Sequence, residues 1–224
     1  DFGLSKFVVC TDAGLSSTTN RKFNSKRDRA FVTTQSVKKL KAHLKKWALD
    51  PSGWHLPGTS KVYDLSMLDE AMGKVSGKDR GRMRDKIFYK ERWIKENGLE
   101  QRLIVTFSSK YRDYQRKIRN SQIQRALRAM DGTPSKVKKY RQNDYKRFIR
   151  KTSITSDGEV AGKEIYSIDA ALIEKEEMFD GFYAVCTNLE DDVGAIVKVN
   201  RRRWVIEECF RIMKSEFRAR PVCL

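Results

Sequence analysis

"KFVVCTDAGLSSTTNRKFN", residues 6–24, reads as a short buried strand that ends at a carboxylate and turns directly into a helix. Phe7, Val8 and Val9 form an aromatic and β-branched run, Gly14 stops it, and Asp12 stands at its end. The Ser, Thr and Asn residues that follow are helix-start signals. Working outward, "AFVTTQ" (residues 30–35) predicts a second strand. "SVKKLKAHLKKWAL" (residues 36–49) spaces Val37, Leu40, Leu44, Trp47 and Ala48 as one helical face among lysines. "DPSGWHLPGTS" is a loop. Beyond it, "IFYKERWI" and "QRLIVTF" predict strands, and "SSKYRDYQRKIRNSQIQRALRAM" predicts a long helix capped by Ser108 or Ser109 and ended by "DGTP". The last part alternates cleanly: strand "EIYSI", helix "DAALIEKEEMF", strand "GFYAVCTN", helix "EDDVGAIVKV", and a final helix from about Asn200 to Arg218. Strands at both ends with mixed material between them predict an α/β core interrupted by a mixed, β-containing subdomain. The expected boundaries are 1–50 and 164–224 for the core and 51–163 for the insertion.

The 224 residues suffice for one sizeable core or for a core with an inserted subdomain. With 47 Lys+Arg against 29 Asp+Glu the chain carries +18, and such self-repulsion points to a polyanionic partner, nucleic acid first. No run approaches the ~18 apolar residues of a membrane span, and the N-terminus lacks the pattern of a secretion signal, so the expectation is a cytoplasmic protein with no membrane partner. Cys10, Cys186, Cys209 and Cys223 are scattered without a C-x-x-C pair, and only His43 and His55 accompany them, which argues for buried free thiols rather than zinc ligands. The chain runs within a few residues of Asp1 into an apolar strand and stops at "RARPVCL", so it reads as a fragment of something longer.

The charge is concentrated. Residues 108–151 hold fifteen Lys+Arg against Asp113, Asp131 and Asp144, so this segment supplies twelve of the eighteen net positive charges. Tyr111, Tyr114, Tyr140, Tyr145 and Phe148 are interleaved with the cations, a combination suited to phosphate contacts and to stacking on bases or sugars. The competing interpretation is a solvated helix face whose aromatics lie in a core.

In "NRRRWVIEECFRIMK", residues 200–214, Ile206, Phe210 and Met213 continue to Phe217 as an apolar stripe, which lays the helix on the core. Asn200, Arg203, Glu207 and Lys214 lie within about 60° of one another on the adjoining flank. Taken alone, Arg203 and Glu207 make an i,i+4 ion pair worth a few tenths of a kcal/mol. A second carboxylate changes the balance. Asp12 at a strand end, followed by Ala13 and Gly14, and Glu207 on a core-packed helix can converge on Mg²⁺, which takes few protein carboxylates and keeps positions open for water and phosphate oxygens. An acid at a strand end is also a common turn device.

The spacing Asn200-x2-Arg203-x3-Glu207-x6-Lys214, with "TDAGLSS" near the start and "DGFYAVCTN" ahead of the last helices, closely resembles DDE transposases of bacterial insertion sequences. Within them it is most similar to the group with a Tyr-x2-Arg-x3-Glu-x6-Lys helix and a β-rich insertion in the catalytic domain. The resemblance covers essentially the whole chain, most specifically residues 6–20 and 180–222. It implies a partial ribonuclease H-like core and a parent enzyme that hydrolyses phosphodiesters and transfers strands with Mg²⁺ or Mn²⁺. Transposon ends and target DNA would be its partners, in a synaptic homodimer in the bacterial cytoplasm. It further implies that Asp12 and Glu207 are the second and third catalytic, metal-binding acids. Arg203, Lys214 and Asn200 would contact DNA, Asn188 would organise the site, and Arg116, Lys117 and Arg119 of the basic segment would grip transposon-end or flanking DNA. Asn200 stands where the family has Tyr, and no residue before Asp12 can serve as the first aspartate, so these residues alone are expected not to cleave. Two other readings remain: a non-enzymatic basic nucleic-acid-binding protein, and an inactive remnant of a mobile element.

Overall fold

The computed structural model describes residues 7–131, 144–154 and 163–200, and shows a mixed α/β protein. Its strands and helices form two compact units, one built from residues up to Phe107 together with those from Tyr183 on, the other from Ser108–Phe182.

In the first unit, β1 (Phe7–Thr11), α1 (Thr18–Asn24) and β2 (Arg29–Gln35) make a parallel pair joined by a helical crossover, registered from Phe7↔Arg29 to Thr11↔Thr33. Ser17 caps α1, its side chain accepting from the Asn20 amide at 3.2 Å. The segment expected as one helix from Ser36 is broken. A 3₁₀ turn at Val37–Lys39 is followed by extended backbone at Leu40 and Lys41, and only then by α2 (Ala42–Leu49). Val37, Leu40, Leu44 and Ala48 are nevertheless all buried, so the apolar spacing correctly marks a core-facing segment. Two short strands, β3 (Trp54–His55) and β4 (Val62–Tyr63), and two helices, α3 (Leu68–Gly73) and α4 (Gly77–Arg84), lead to a long hairpin of β5 (Phe88–Glu96) and β6 (Leu99–Phe107). The hairpin turns through Asn97 (φ 51°) and Gly98 (φ 72°), the left-handed pair that a tight antiparallel connection demands.

The chain returns to the first unit as β9 (Phe182–Thr187), which pairs antiparallel with β2 from Val32↔Thr187 to Gln35↔Ala184. The resulting seven-stranded sheet has the order β1-β2-β9-β6-β5-β3-β4. Side chains alternate across it. On one face Ala30, Val32, Ile104 and Val185 pack with Val193 and Ile196 of the helical stretch 193–200, and Cys10 lies against the same cluster. On the other face Arg21 of α1 is buried, its guanidinium donating to Gln101 Oε1 (3.2 Å) and Gln35 Oε1 (2.7 Å).

The second unit is built on α5 (Ser109–Asp131), whose start is capped by the Ser108 hydroxyl accepting from the Tyr111 amide. A 3₁₀ turn at Tyr145–Phe148, the antiparallel pair β7 (Ile149–Ile154) and β8 (Lys163–Ile168), and α6 (Ala170–Glu177) complete it. Its core is Ala126, Phe148 and Ile149, with Tyr145, Ile168, Leu172 and Ile173 packed around them. No helix among the described residues is long and apolar enough to cross a membrane.

Candidate functional site

Asp12 follows the last residue of β1 and is exposed. Its Oδ1 accepts from the Leu15 amide at 3.0 Å and so closes the turn that feeds α1. A Cβ on Gly14 would lie 3.2 Å from that oxygen, which is why a residue without a side chain suits this position. Asp12 thus serves the turn, and the carboxylate stays open to solvent.

Register fixes where Asp12 stands in the sheet. Thr11 is level with Thr33, and the two hydroxyls are hydrogen-bonded, so the next position is level with Thr34 at the C-terminal end of the parallel pair. The period of two that puts Cys10 beside Val32 carries position 12 to the face covered by residues 193–200. Along that face the helical stretch runs back from the Thr187 end of β9, where Thr187 Oγ1 accepts from the Leu189 amide, to the Tyr183 end. There Asn200 Nδ2 donates to the Tyr183 hydroxyl (3.2 Å), which is itself hydrogen-bonded to Thr34 Oγ1 (2.6 Å). Asn200 therefore stands at the Thr34 level, at the same end and on the same face as Asp12.

Asn200 itself is buried, 6% exposed, with its amide given to Tyr183 and its Oδ1 without a hydrogen-bond partner among the described residues. Its side chain, read from the sequence as a DNA contact, faces the sheet. Glu207, Arg203 and Lys214 lie outside the described residues. Asn188 serves β2: its Oδ1 accepts from Phe31 N (2.9 Å) and its Nδ2 donates to Arg29 O (3.4 Å), while the Thr187 hydroxyl donates to Phe31 O (2.6 Å). Asn188 continues β9 past the Val32↔Thr187 pair, level with Phe31, so it stands three positions from Asp12 along the strands, ~10 Å, and two strands across. It ties strands together and is not beside the carboxylate. Among the described residues no group of three His, Cys, Asp or Glu side chains is placed to hold a metal ion. Burial pushes the Cys186 thiol up to about 11.

The basic segment divides sharply by face. Arg119, expected at the DNA, is 4% exposed; its Nη1 and Nη2 grip the two oxygens of Asp180 at 2.7 Å each, and Nη2 also reaches Glu177 at 3.0 Å. The hydrogen bonds to Asp180 hold this guanidinium above its ordinary pKa. Both Nη groups are thus used inside the unit. Arg147 is likewise bound to Glu176 and Gln122, Arg125 lies over Tyr145, and Phe148 and Tyr145 belong to the core. Lys117 and Arg116 remain on the exposed side, Arg116 half-exposed and 3.6 Å from Asp180. The outer face of α5 carries Lys110, Tyr114, Lys117, Ser121, Gln124 and Arg128 within about 80° of arc and over about 27 Å of length. Tyr114 is 54% exposed and stacks on Tyr111.

Comparison with protein-family models, with curated proteins and with solved structures found no match.

Proposed function

We propose that this chain is part of the catalytic domain of a DDE-type DNA transposase, with a ribonuclease H-like core and DNA as its partner. One observation carries the proposal: the chain arrives at Asn200 at the same sheet end and on the same face as Asp12. Seven residues separate Asn200 from Glu207, a reach of about 10 Å as helix and about 23 Å extended. That span is long enough for Glu207 to meet Asp12, which supports the reading that the two carboxylates singled out from opposite ends of the chain share an ion.

The donor chemistry suits a hard divalent cation. Asp12 is exposed, and only one of its oxygens is engaged by the turn. Asp12 and Glu207 would hold Mg²⁺ or Mn²⁺, and a bound ion supplies charge stabilisation at a phosphoryl group and an acidified water. The chain's own residues do the rest. Arg203 and Lys214, four residues before and seven after Glu207 in the sequence, neutralise and orient the phosphates of a transposon end, and the outer face of α5 holds flanking duplex. Two carboxylates are one fewer than the triad the resemblance calls for, so metal binding is the property to measure on these residues, ahead of strand cleavage.

Titration with Mn²⁺, followed by the electron paramagnetic resonance of the free ion, tests the assignment. Asp12→Asn and Glu207→Gln are each expected to weaken Mn²⁺ binding by about tenfold or more. If neither changes it, the carboxylates do not share an ion. One observation favours a second reading, a binding module without chemistry: the hydrogen bond to Leu15 already gives Asp12 a structural task. That reading predicts indifference to Mn²⁺ and a DNA affinity untouched by Asp12→Asn.

A further inference from the structure

Helix α4 buries nothing. Its sequence, "GKDRGRMR", has no buried residue, and apart from Met83, which is half-buried, every residue from Ser76 to Lys86 is exposed. The forces that ordinarily stabilise a short helix run against it. No side chain caps its N-terminus, Gly77 and Gly81 are poor helix formers, and Lys78/Arg82 and Arg80/Arg84 set like charges at i,i+4. The Asp79–Arg82 pair (3.4 Å) is fully solvated on both sides and contributes little.

The charges are nonetheless ordered. At 100° per residue Lys78 and Arg82 form one row, Arg80 and Arg84 a second, and the rows stand about 160° apart. Gly81 lies midway between them on one side, where an added Cβ would meet nothing within 4 Å. On the other side are Asp79 and the half-buried Met83, so this is the side turned toward the protein. A bare backbone face flanked on both sides by cations matches a groove walled by two phosphate strands. A helix is about 10–12 Å across, and the major groove of B-form DNA is about 12 Å wide, whereas that of A-form RNA is too deep and narrow for it. With a single apolar side chain, α4 has no face to lay into a lipid surface.

We propose that α4 enters the major groove of duplex DNA with Gly81 toward the groove floor, Lys78 and Arg82 neutralising the phosphates of one strand and Arg80 and Arg84 those of the other. This is a second DNA-binding element, separate from α5 and independent of the metal assigned to Asp12 and Glu207.

The test uses the full chain with EDTA present and follows fluorescence anisotropy of a labelled DNA duplex of about 20 base pairs, and of an RNA duplex of the same sequence, across about 50–200 mM salt. Arg80→Gln/Arg82→Gln is expected to weaken DNA binding at least tenfold and to reduce the salt slope by about two, one per lost phosphate contact. Gly81→Gln, which adds a helix-favouring side chain in open space, is expected to weaken DNA binding several-fold with the slope little changed, because it holds the backbone off the groove. Unchanged affinity and slope in the double variant would overturn the site. Equal losses on the RNA duplex, or a Gly81→Gln protein that binds DNA as tightly as the original, would overturn groove entry. Since no step depends on divalent metal, failure here is distinct from failure of the transposase assignment.

Discussion

Arg119 and Lys117 sit two residues apart on α5 and do opposite work. Arg119 places a guanidinium, 4% exposed, against an Asp180 carboxylate whose side chain is 5% exposed, and the pair ties the middle of α5 to the turn that follows α6. Replacing both partners by apolar groups could be neutral, but removing one leaves a buried charge uncompensated. Arg119→Met is therefore expected to cost about 3–5 kcal/mol, read as a lower urea midpoint, and a midpoint equal to that of the original protein would show that water reaches Asp180 freely. Lys117→Glu is expected to leave the midpoint within about 0.5 kcal/mol and to weaken DNA binding in a salt-dependent manner. Charge reversal at Lys117 without effect on DNA would remove the outer face of α5 from the interface. In the sequence these two cations are equivalent members of one basic run. What separates them is a partner 61 residues away, at Asp180, which no local pattern announces.

At the scale of elements, the strands of the sheet were legible because alternation and β-branched runs are local properties: "AFVTTQ", "QRLIVTF" and "GFYAVCTN" fall on β2, β6 and β9. The break before α2 was not legible, since its apolar spacing serves a helix and a 3₁₀ turn plus helix equally well. Nor was the closure of α2. Lys90 of β5 is 5% exposed, and its Nζ donates to Trp47 O (3.3 Å) and Asp50 O (2.7 Å), satisfying carbonyls at the C-terminus of the helix, with Trp54 beneath the charge at 5.0 Å. Lys90→Met takes the side-chain donor from Trp47 O, while Asp50 O keeps the Trp54 indole N–H at 2.8 Å, and is expected to cost about 1–3 kcal/mol. Burial lowers the Lys90 pKa below its ordinary 10.5, so the folded state holds this proton less tightly than the unfolded chain. The penalty is fully present below the folded-state pKa and is relieved as pH rises from there to 10.5, so Lys90 adds stability toward alkaline pH. The gap between original and Lys90→Met urea midpoints should widen in that direction, and a gap that narrows would mean that the buried amine prefers its proton. On α4 the two i,i+4 cationic rows in "GKDRGRMR" can be read directly from the sequence, but only the structure shows that the helix buries no residue fully and leaves both rows exposed.

For the whole molecule, the decisive contacts join residues far apart in the chain. β2 and β9 pair across about 150 residues, and the Thr187 and Asn188 side chains extend that pairing to Phe31 and Arg29. Local pattern identifies both strands and their ends but not that they are neighbours, which is why the position of Asp12 relative to Asn200 had to come from register. The same scale governs the charge. A net +18 repels itself in the compact state more than in the expanded one, and the acids available to offset it are partly committed to buried pairs such as Arg119–Asp180, which salt screens little. Exposed pairs such as Lys74–Glu70 and Arg82–Asp79 contribute too little to reverse the balance. Salt should consequently act in opposite directions on the two properties of this chain. Between about 50 and 200 mM it should raise the urea midpoint by screening the net repulsion, and over the same range it should lower DNA affinity by orders of magnitude as counterion release loses its driving force. Urea unfolding and DNA anisotropy measured on one preparation across that range check both signs. A midpoint that falls with salt would mean that favourable ion pairs outweigh the repulsion, and that the excess of cations is held in place by the fold itself rather than kept exposed for a polyanion.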